Sequence, residues 1–195
     1  MEEITQVLGN WANEPRERKN LVFDALYAKL RQLAGQQVRK SGDNLDMQPT
    51  ALVHEAYFRL VDLNRIDING RAHFLGLAGR LMREILVDEA RHARAQKRDR
   101  ALETRLTGEF LGDGVDLDAL LMLNETLNEL GEIDPEYLWL ADARLFAGMT
   151  IEEAADGLGV SPATVKRKWR VARAWIAARL KDSETKTLRD LTNHL

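Results

Sequence analysis

From Arg16 to Lys40 the apolar residues Leu21, Val22, Ala25, Leu26, Leu30, Leu33, Ala34 and Val38 recur at three- and four-residue intervals. That spacing puts them on one face of a helix. "SGDNLDM" (41–47) interrupts it with Gly, Asp and Asn, residues that favour turns. After "QPT" a second helix is predicted, with Leu52, Val53, Ala56, Tyr57, Leu60 and Val61 on one face and His54, Glu55, Arg59 and Asp62 directed elsewhere. "NRIDING" (64–70) reads as a loop. A long helix then runs from Arg71 toward Arg94 through Phe74, Leu77, Ala78, Leu81, Ile85 and Leu86. Residues 96–116 are polar, contain three Gly and have weak periodicity, the profile of a linker. A second helical unit is predicted from near Asp116 to about Leu180. No stretch alternates as a strand would, so the chain is expected to be all-α, with two small helical domains.

Punctuation is sharpest near the C-terminus. In "MTIEEAADGLGVSPATVKRKW", Thr150 and Glu153 have the T-x-x-E spacing of a capping box, which satisfies two free N–H groups at a helix start. "GLGV" closes that short helix, Ser161 offers the next N-cap, and Pro162 takes the first helical position, where a missing N–H costs nothing. Ala155 is small enough for two helices to approach, and Gly159 permits the turn between them. These features define a helix-turn-helix. In its second helix Val165, Trp169, Ala172 and Ile176 form one stripe and are expected in the core. Lys166, Arg167, Lys168, Arg170 and Arg173 occupy the other side.

Charge sharpens this picture. The 195 residues carry a formal net charge of −3, but residues 101–160 hold 2 basic and 14 acidic groups, whereas residues 161–181 hold seven basic groups and no acidic one. Residues 1–100 are close to balanced, with 17 basic and 14 acidic groups. A concentrated basic face on an acidic chain suits local binding of a polyanion. With the capped turn before it, that face is read as DNA-binding, its N-terminus entering the major groove.

Composition removes other classes. The absence of Cys excludes disulfides, thiolate metal sites and cysteine nucleophiles. There is no apolar run of membrane-spanning length, and "MEEITQVLGNW" lacks the marks of a secretory signal, so a cytoplasmic protein is expected. "HEAYF" (54–58) begins like a zinc-protease motif but has Phe58 in place of the second His. His54, His73, His92 and His194 are otherwise scattered, and no Gly-rich phosphate loop is present. Neither a catalytic site, a metal nor a cofactor is expected. Trp11, Trp139, Trp169 and Trp175 stand at helical spacing and are read as core. A dimeric helix-turn-helix repressor would account for 150–181 but leaves the first 95 residues without a role.

"QPTALVHEAYFRLVD", "AHFLGLAGRLMREILVDEARHARAQKR" and "MTIEEAADGLGVSPATVKRKWRVARAWI", in this order, resemble an extracytoplasmic-function (ECF) sigma factor. Such proteins are bacterial initiation subunits of RNA polymerase. The resemblance spans roughly residues 5–180, and its first two blocks are similar to a subgroup with the motif "QPTALVHEAY". It implies a sigma-two domain at 4–96, a linker at 97–116 and a sigma-four helix-turn-helix domain at 117–182. The first would bind the clamp of core RNA polymerase and melt the −10 element. The second would bind the flap and read −35 promoter DNA as duplex. Carried over by residue, the polymerase-binding face is His54, Glu55, Phe58 and Arg59. The −10 surface is the 64–71 loop and the helix after it, with Asn69, Arg71, Arg80, Arg83, Glu84 and Arg91. The −35 readers are Ser161, Thr164, Lys166, Arg167, Arg170 and Arg173. The chain departs from the pattern where many members are acidic, around Thr50 and Ala51, and it carries Glu84 and Glu89 where the subgroup often has Arg and His. The resemblance leaves an anti-sigma factor and a Ser/Thr kinase open as regulators. The kinase would phosphorylate Thr50.

Overall fold

The computed structural model describes residues 2–40, 45, 47–62, 68, 70–107 and 117–192. Among these residues there are eight α-helices and one short 3-10 turn, and no strand. The N-terminal half is built from α1 (Glu2–Gly9), the 3-10 turn Trp11–Asn13, α2 (Arg16–Lys40), α3 (Pro49–Asp62) and α4 (Gly70–Thr107). The C-terminal half comprises α5 (Leu117–Ile133), α6 (Pro135–Leu145), α7 (Ile151–Leu158) and α8 (Pro162–Thr192). The all-α expectation holds.

The helical stripes bury as their spacing predicts. All six apolar residues of the α3 stripe are buried. In α2, Val22, Leu26, Leu30, Leu33 and Ala34 are buried and Val38 is half-buried, whereas Ala25 is exposed and Leu21 lies 45% exposed at the edge of the stripe. Periodicity in 16–40 did not reveal α1. Its Val7 and Leu8 pack with Trp11 in the largest core cluster, and Trp11 Nε1 donates to the Leu60 carbonyl at 3.3 Å. Ile4, Val7, Leu8 and Trp11 have the i, i+3, i+4, i+7 spacing that could have exposed this helix.

Two helices outrun their sequence-based limits. α4 continues to Thr107, through part of the segment read as a linker. "QKRDRALETRLT" (96–107) is rich in good helix formers and holds no Gly or Pro to stop it. Residues 108–116, the rest of that linker, lie outside the described residues, as do 41–44 and 46 of the first turn and 63–67 and 69 of the loop. α8 likewise runs past Leu180 to Thr192.

α4 is the pivot of the structure. Phe74, Leu77, Ala78, Leu81, Ile85 and Leu86 are buried as expected, but so are Leu75, Met82 and Val87. A helix buried nearly all round must have partners on both sides. α1, α2 and α3 cover one side, and α5, α6 and α7 cover the other. The largest core cluster accordingly includes Leu117, Leu121, Ala143, Ala147 and Met149 from the C-terminal half. Two smaller clusters complete the C-terminal half, one around Leu127, Leu130, Phe146 and Ala172, the other around Leu140, Ala154, Ala155 and Val165.

Glycines allow the close approach on the second side. A Cβ at Gly79 would lie 2.8 Å from both the Cβ and the backbone N of Ala147, and one at Gly76 would meet the Trp139 ring at 2.8 Å. A Cβ at Gly157 of α7 would meet the same ring at 2.6 Å. Trp139 therefore sits in a notch between glycines of α4 and α7.

Candidate nucleic-acid and polymerase interfaces

The helix-turn-helix forms by the local chemistry of its sequence. Thr150 Oγ1 accepts from the Glu153 backbone N–H at 3.1 Å, and Glu153 Oε2 accepts from the Thr150 N–H at 2.8 Å. Both halves of the capping box are therefore present. Gly159 ends α7 in the left-handed region at φ 65°, ψ 30°. An L side chain is disfavoured there, so a glycine is needed for the chain to turn. Ser161 Oγ then accepts from the Thr164 N–H at 3.2 Å and starts α8.

α8 presents two different faces. Val165 and Ala172 are fully buried, Ile176 is buried, and Trp169 is half-buried against both small clusters. Lys166, Arg167, Arg170 and Arg173 are exposed. Among the described residues, none of these four has an ion-pair partner. Ser161 is exposed, while Thr164 is half-buried and its hydroxyl lies 3.0 Å from that of Ser161. Lys168 differs from its neighbours. It is half-buried, pairs with Glu136 and reaches Asp134 at 3.7 Å. The Glu136 hydrogen bond, ahead of the nearby carboxylate charges, holds its ammonium pKa above the usual lysine range. Arg179 pairs with Glu129 in the same way. Lys168 and Arg179 thus tie α8 to the acidic α5–α6 segment.

α3 offers a mixed face. His54 is exposed, and the Phe58 ring is 51% exposed with the Arg16 guanidinium 5.6 Å from its centroid. Arg59 donates to Glu55 at 2.8 Å and to Asp88 of α4 at 3.2 Å. Asp88, which the motifs did not single out, thereby fixes the outer face of α3 against α4. Thr50 is exposed in the first turn of α3, a turn without an acidic residue.

The residues assigned to the −10 surface fall into three settings. Asn69 lies outside the described residues. Arg71 is exposed and lines a cavity of about 300 Å³ with Lys29, Met149, Glu153 and Asp156. Arg80, paired with Glu84 at 2.9 Å, and Arg91, paired with Asp88 at 3.5 Å, are exposed along α4. Arg83, in contrast, is only 2% exposed. Its Nε donates to Asp142 Oδ1 at 2.7 Å and its Nη2 to Asp142 Oδ2 at 3.2 Å, while Nη1 donates to Asn124 Oδ1. Burial raises the Asp142 pKa, and the Arg83 guanidinium opposes that rise. In this arrangement Arg83 is a bridge between the two halves of the chain rather than a surface group.

The family model for ECF sigma factors matches residues 1–182. The chain belongs to the ECF sigma factor family. It is therefore an alternative sigma factor, which binds core RNA polymerase and directs promoter-specific transcription initiation. This family is not a class of enzymes. Among solved structures, that of CnrH in complex with the cytosolic domain of CnrY is similar over 92% of this chain and 98% of that chain, at 19% identity and a TM-score of 0.39. No curated protein matches significantly. Among the described residues of the sigma factor there is no group of side chains suited to hold a metal ion, and no helix long and apolar enough to cross a membrane.

The left-handed turn of this sigma factor gives a direct test. Gly159→Ala should lower its unfolding free energy by about 1–2 kcal/mol, measured by chemical denaturation. A cost near zero would mean that the turn relaxes to another geometry.

Proposed function

We propose that the sigma factor divides promoter recognition between its two halves, with residues 117–182 as the sigma-four domain, 4–96 as the sigma-two domain and 97–116 joining them. The observation that carries this reading is the exposed basic face of α8. A cation already satisfied by a carboxylate gains little from a phosphate, whereas Lys166, Arg167, Arg170 and Arg173 are exposed and have no ion-pair partner among the described residues, on a helix that follows a capped turn. These four, with Ser161 and Thr164 at the helix start, read −35 duplex DNA. The −10 strand is handled by Asn69, Arg71, Arg80, Glu84 and Arg91, while Arg83, buried against Asp142, is left out of the contact surface. There the carboxylate pairing of Arg80 and Arg91 favours a modest groove for single-stranded bases over a strong phosphate clamp.

The clamp of core polymerase takes the outer face of α3. Phe58 supplies exposed apolar area, and His54, Glu55 and Arg59 supply polar contacts around it. The flap takes the sigma-four domain. Within the family the chain falls in the subgroup carrying "QPTALVHEAY", acts in the cytoplasm where the polymerase is, and is regulated at Thr50. Phosphorylation there by a Ser/Thr kinase would add about −1.5 to −2 charge at a helix N-terminus, where an anion is favoured, and supply the negative charge that "QPTA" lacks. An anti-sigma factor is the second regulatory reading.

Arg170→Ala and Lys166→Ala should each weaken promoter-duplex binding by about 1–3 kcal/mol if the side chain reaches a base, and less if it meets only phosphate. Gel-shift titration on the cognate promoter, with thermal unfolding as a control, checks this. Normal initiation by both variants would refute the −35 assignment.

Glu55→Ala and Arg59→Ala should lower affinity for core polymerase while leaving duplex binding by α8 intact. Competition against a labelled sigma factor measures the loss, and unchanged affinity in both variants would remove α3 from the clamp interface.

Core-polymerase affinity of wild type, Thr50→Ala and Thr50→Glu, each with and without kinase treatment, tests the switch. Treatment should strengthen binding of the wild type alone, and Thr50→Glu should bind better than Thr50→Ala. Full-strength binding by the untreated protein, unaffected by either substitution, would leave the switch without a role.

A further inference from the structure

Every exposed residue of α8 between 163 and 179 is Ala, Lys or Arg except Val171, which is 48% exposed. A lone apolar residue at a surface is ordinary in itself. This one stands where helix propensity argues against it, because a β-branched side chain is a poorer helix former than Ala, Lys or Arg. It also stands among cations, on the side of the helix that faces away from the core.

Its place around the helix axis narrows the role. α8 turns by about 100° per residue, and its buried stripe is Val165, Ala172 and Ile176. Opposite that stripe lie Ala163, Arg167 and Ala174, all exposed. Arg170 bounds this outer arc on one side and Val171 on the other. Lys166 and Arg173 fall farther round, beyond Arg170, where a helix lying in the major groove passes a phosphate backbone. The two Ala keep the centre of the arc low, so the helix can come close to the base edges and Arg167, Arg170 and Val171 can reach them. On those edges the one methyl group is the C5-methyl of thymine. The amino group of adenine or cytosine, or the acceptors of guanine, set against Val171 would lose water without gaining a hydrogen bond.

We propose, on the reading of α8 as the −35 helix, that Val171 is a specificity-determining residue which packs on the C5-methyl of a thymine in the −35 duplex. Val171 lies four residues beyond Arg167, a rise of about 6 Å along the axis. At about 3.4 Å per base pair, the thymine falls about two pairs from the base that Arg167 meets. Within the −35 surface Lys166 and Arg173 then hold phosphate, whereas Arg167, Arg170 and Val171 select sequence.

Holoenzyme reconstituted from core polymerase and the full chain can select its preferred −35 sequence from duplexes with a randomised segment. The selected duplex is then remade with deoxyuridine in place of each thymine in turn, which removes only the methyl group. For the wild type, one such replacement should weaken binding about fourfold, the effect of burying one methyl. Val171→Ala should weaken binding of the parent duplex by at least that factor, show no further loss with deoxyuridine at that position, and relax selection there alone. Its thermal midpoint should be unchanged or higher, since Ala is the better helix former. Lys166→Ala and Arg173→Ala should weaken binding to all sequences alike, and each should reduce the salt slope by about 1. If deoxyuridine costs nothing at any −35 position, or costs Val171→Ala as much as it costs the wild type, the methyl contact is refuted, while the basic variants still support α8 as the −35 helix. A loss of affinity of Val171→Ala for core polymerase in the absence of DNA would set the valine against the polymerase and overturn the proposal as well. If the Lys166 and Arg173 variants bind duplex as the wild type does, with the wild-type salt slope, the −35 reading of α8 itself falls and Val171 falls with it.

Discussion

An arginine taken out of water must find a carboxylate, and the pairing of Arg83 with Asp142 is the constraint on which the rest of this structure turns. The two residues are 2% and 1% exposed, and they belong to helices from opposite halves of the chain. A guanidinium fork binds a carboxylate in few orientations, so the pair fixes both the distance and the register of α6 on α4. The glycines of α4 follow from that approach. With α6 held this close, any side chain at Gly76 or Gly79 would strike Trp139 or Ala147. The all-round burial of α4 is the same fact seen from the core.

The cations of this protein sort by whether they have partners. Arg83, Lys168, Arg179 and Arg59 are spent on carboxylates and hold helices together. Lys166, Arg167, Arg170 and Arg173 have no such carboxylates among the described residues and face solvent. The acidic stretch 101–160 has a structural part in this division, because Glu129, Asp134, Glu136 and Asp142 are the carboxylates that draw basic residues inward. The exposed positive charge of α8 is concentrated on the face that these carboxylates do not reach. Exposed ion pairs such as Lys168–Glu136 add little to stability. Their effect is to orient α8 so that its unpaired face points away from α5 and α6.

Much of this was legible in the sequence, because it depends on interactions within a few residues. The α3 stripe, the span of α2, the capping box, the Gly159 turn and the Ser161 cap all require only the spacing of neighbours along one helix. The basic face of α8 was visible for the same reason, since seven Lys and Arg within 21 residues of one helix with no acidic residue cannot all be buried. The ECF sigma factor family was recognisable because its three blocks keep their order.

The tertiary structure decided which of those charges are free. Lys168 and Arg170 are two residues apart and chemically alike, yet one is tied to α6 and the other is open. Arg83 and Arg80 lie on the same helix, yet Arg83 crosses 59 positions of sequence to reach Asp142 while Arg80 pairs four residues along at the surface. Periodicity tells only that a residue lies on one side of a helix. Whether that side meets water or another helix depends on how distant elements pack, and burial of an ion pair depends on both partners arriving together. For that reason the sequence by itself determined most of the helices, the caps of the helix-turn-helix and the family, and only the folded chain decided that Gly76, Gly79 and Arg83 of α4 seat the C-terminal half.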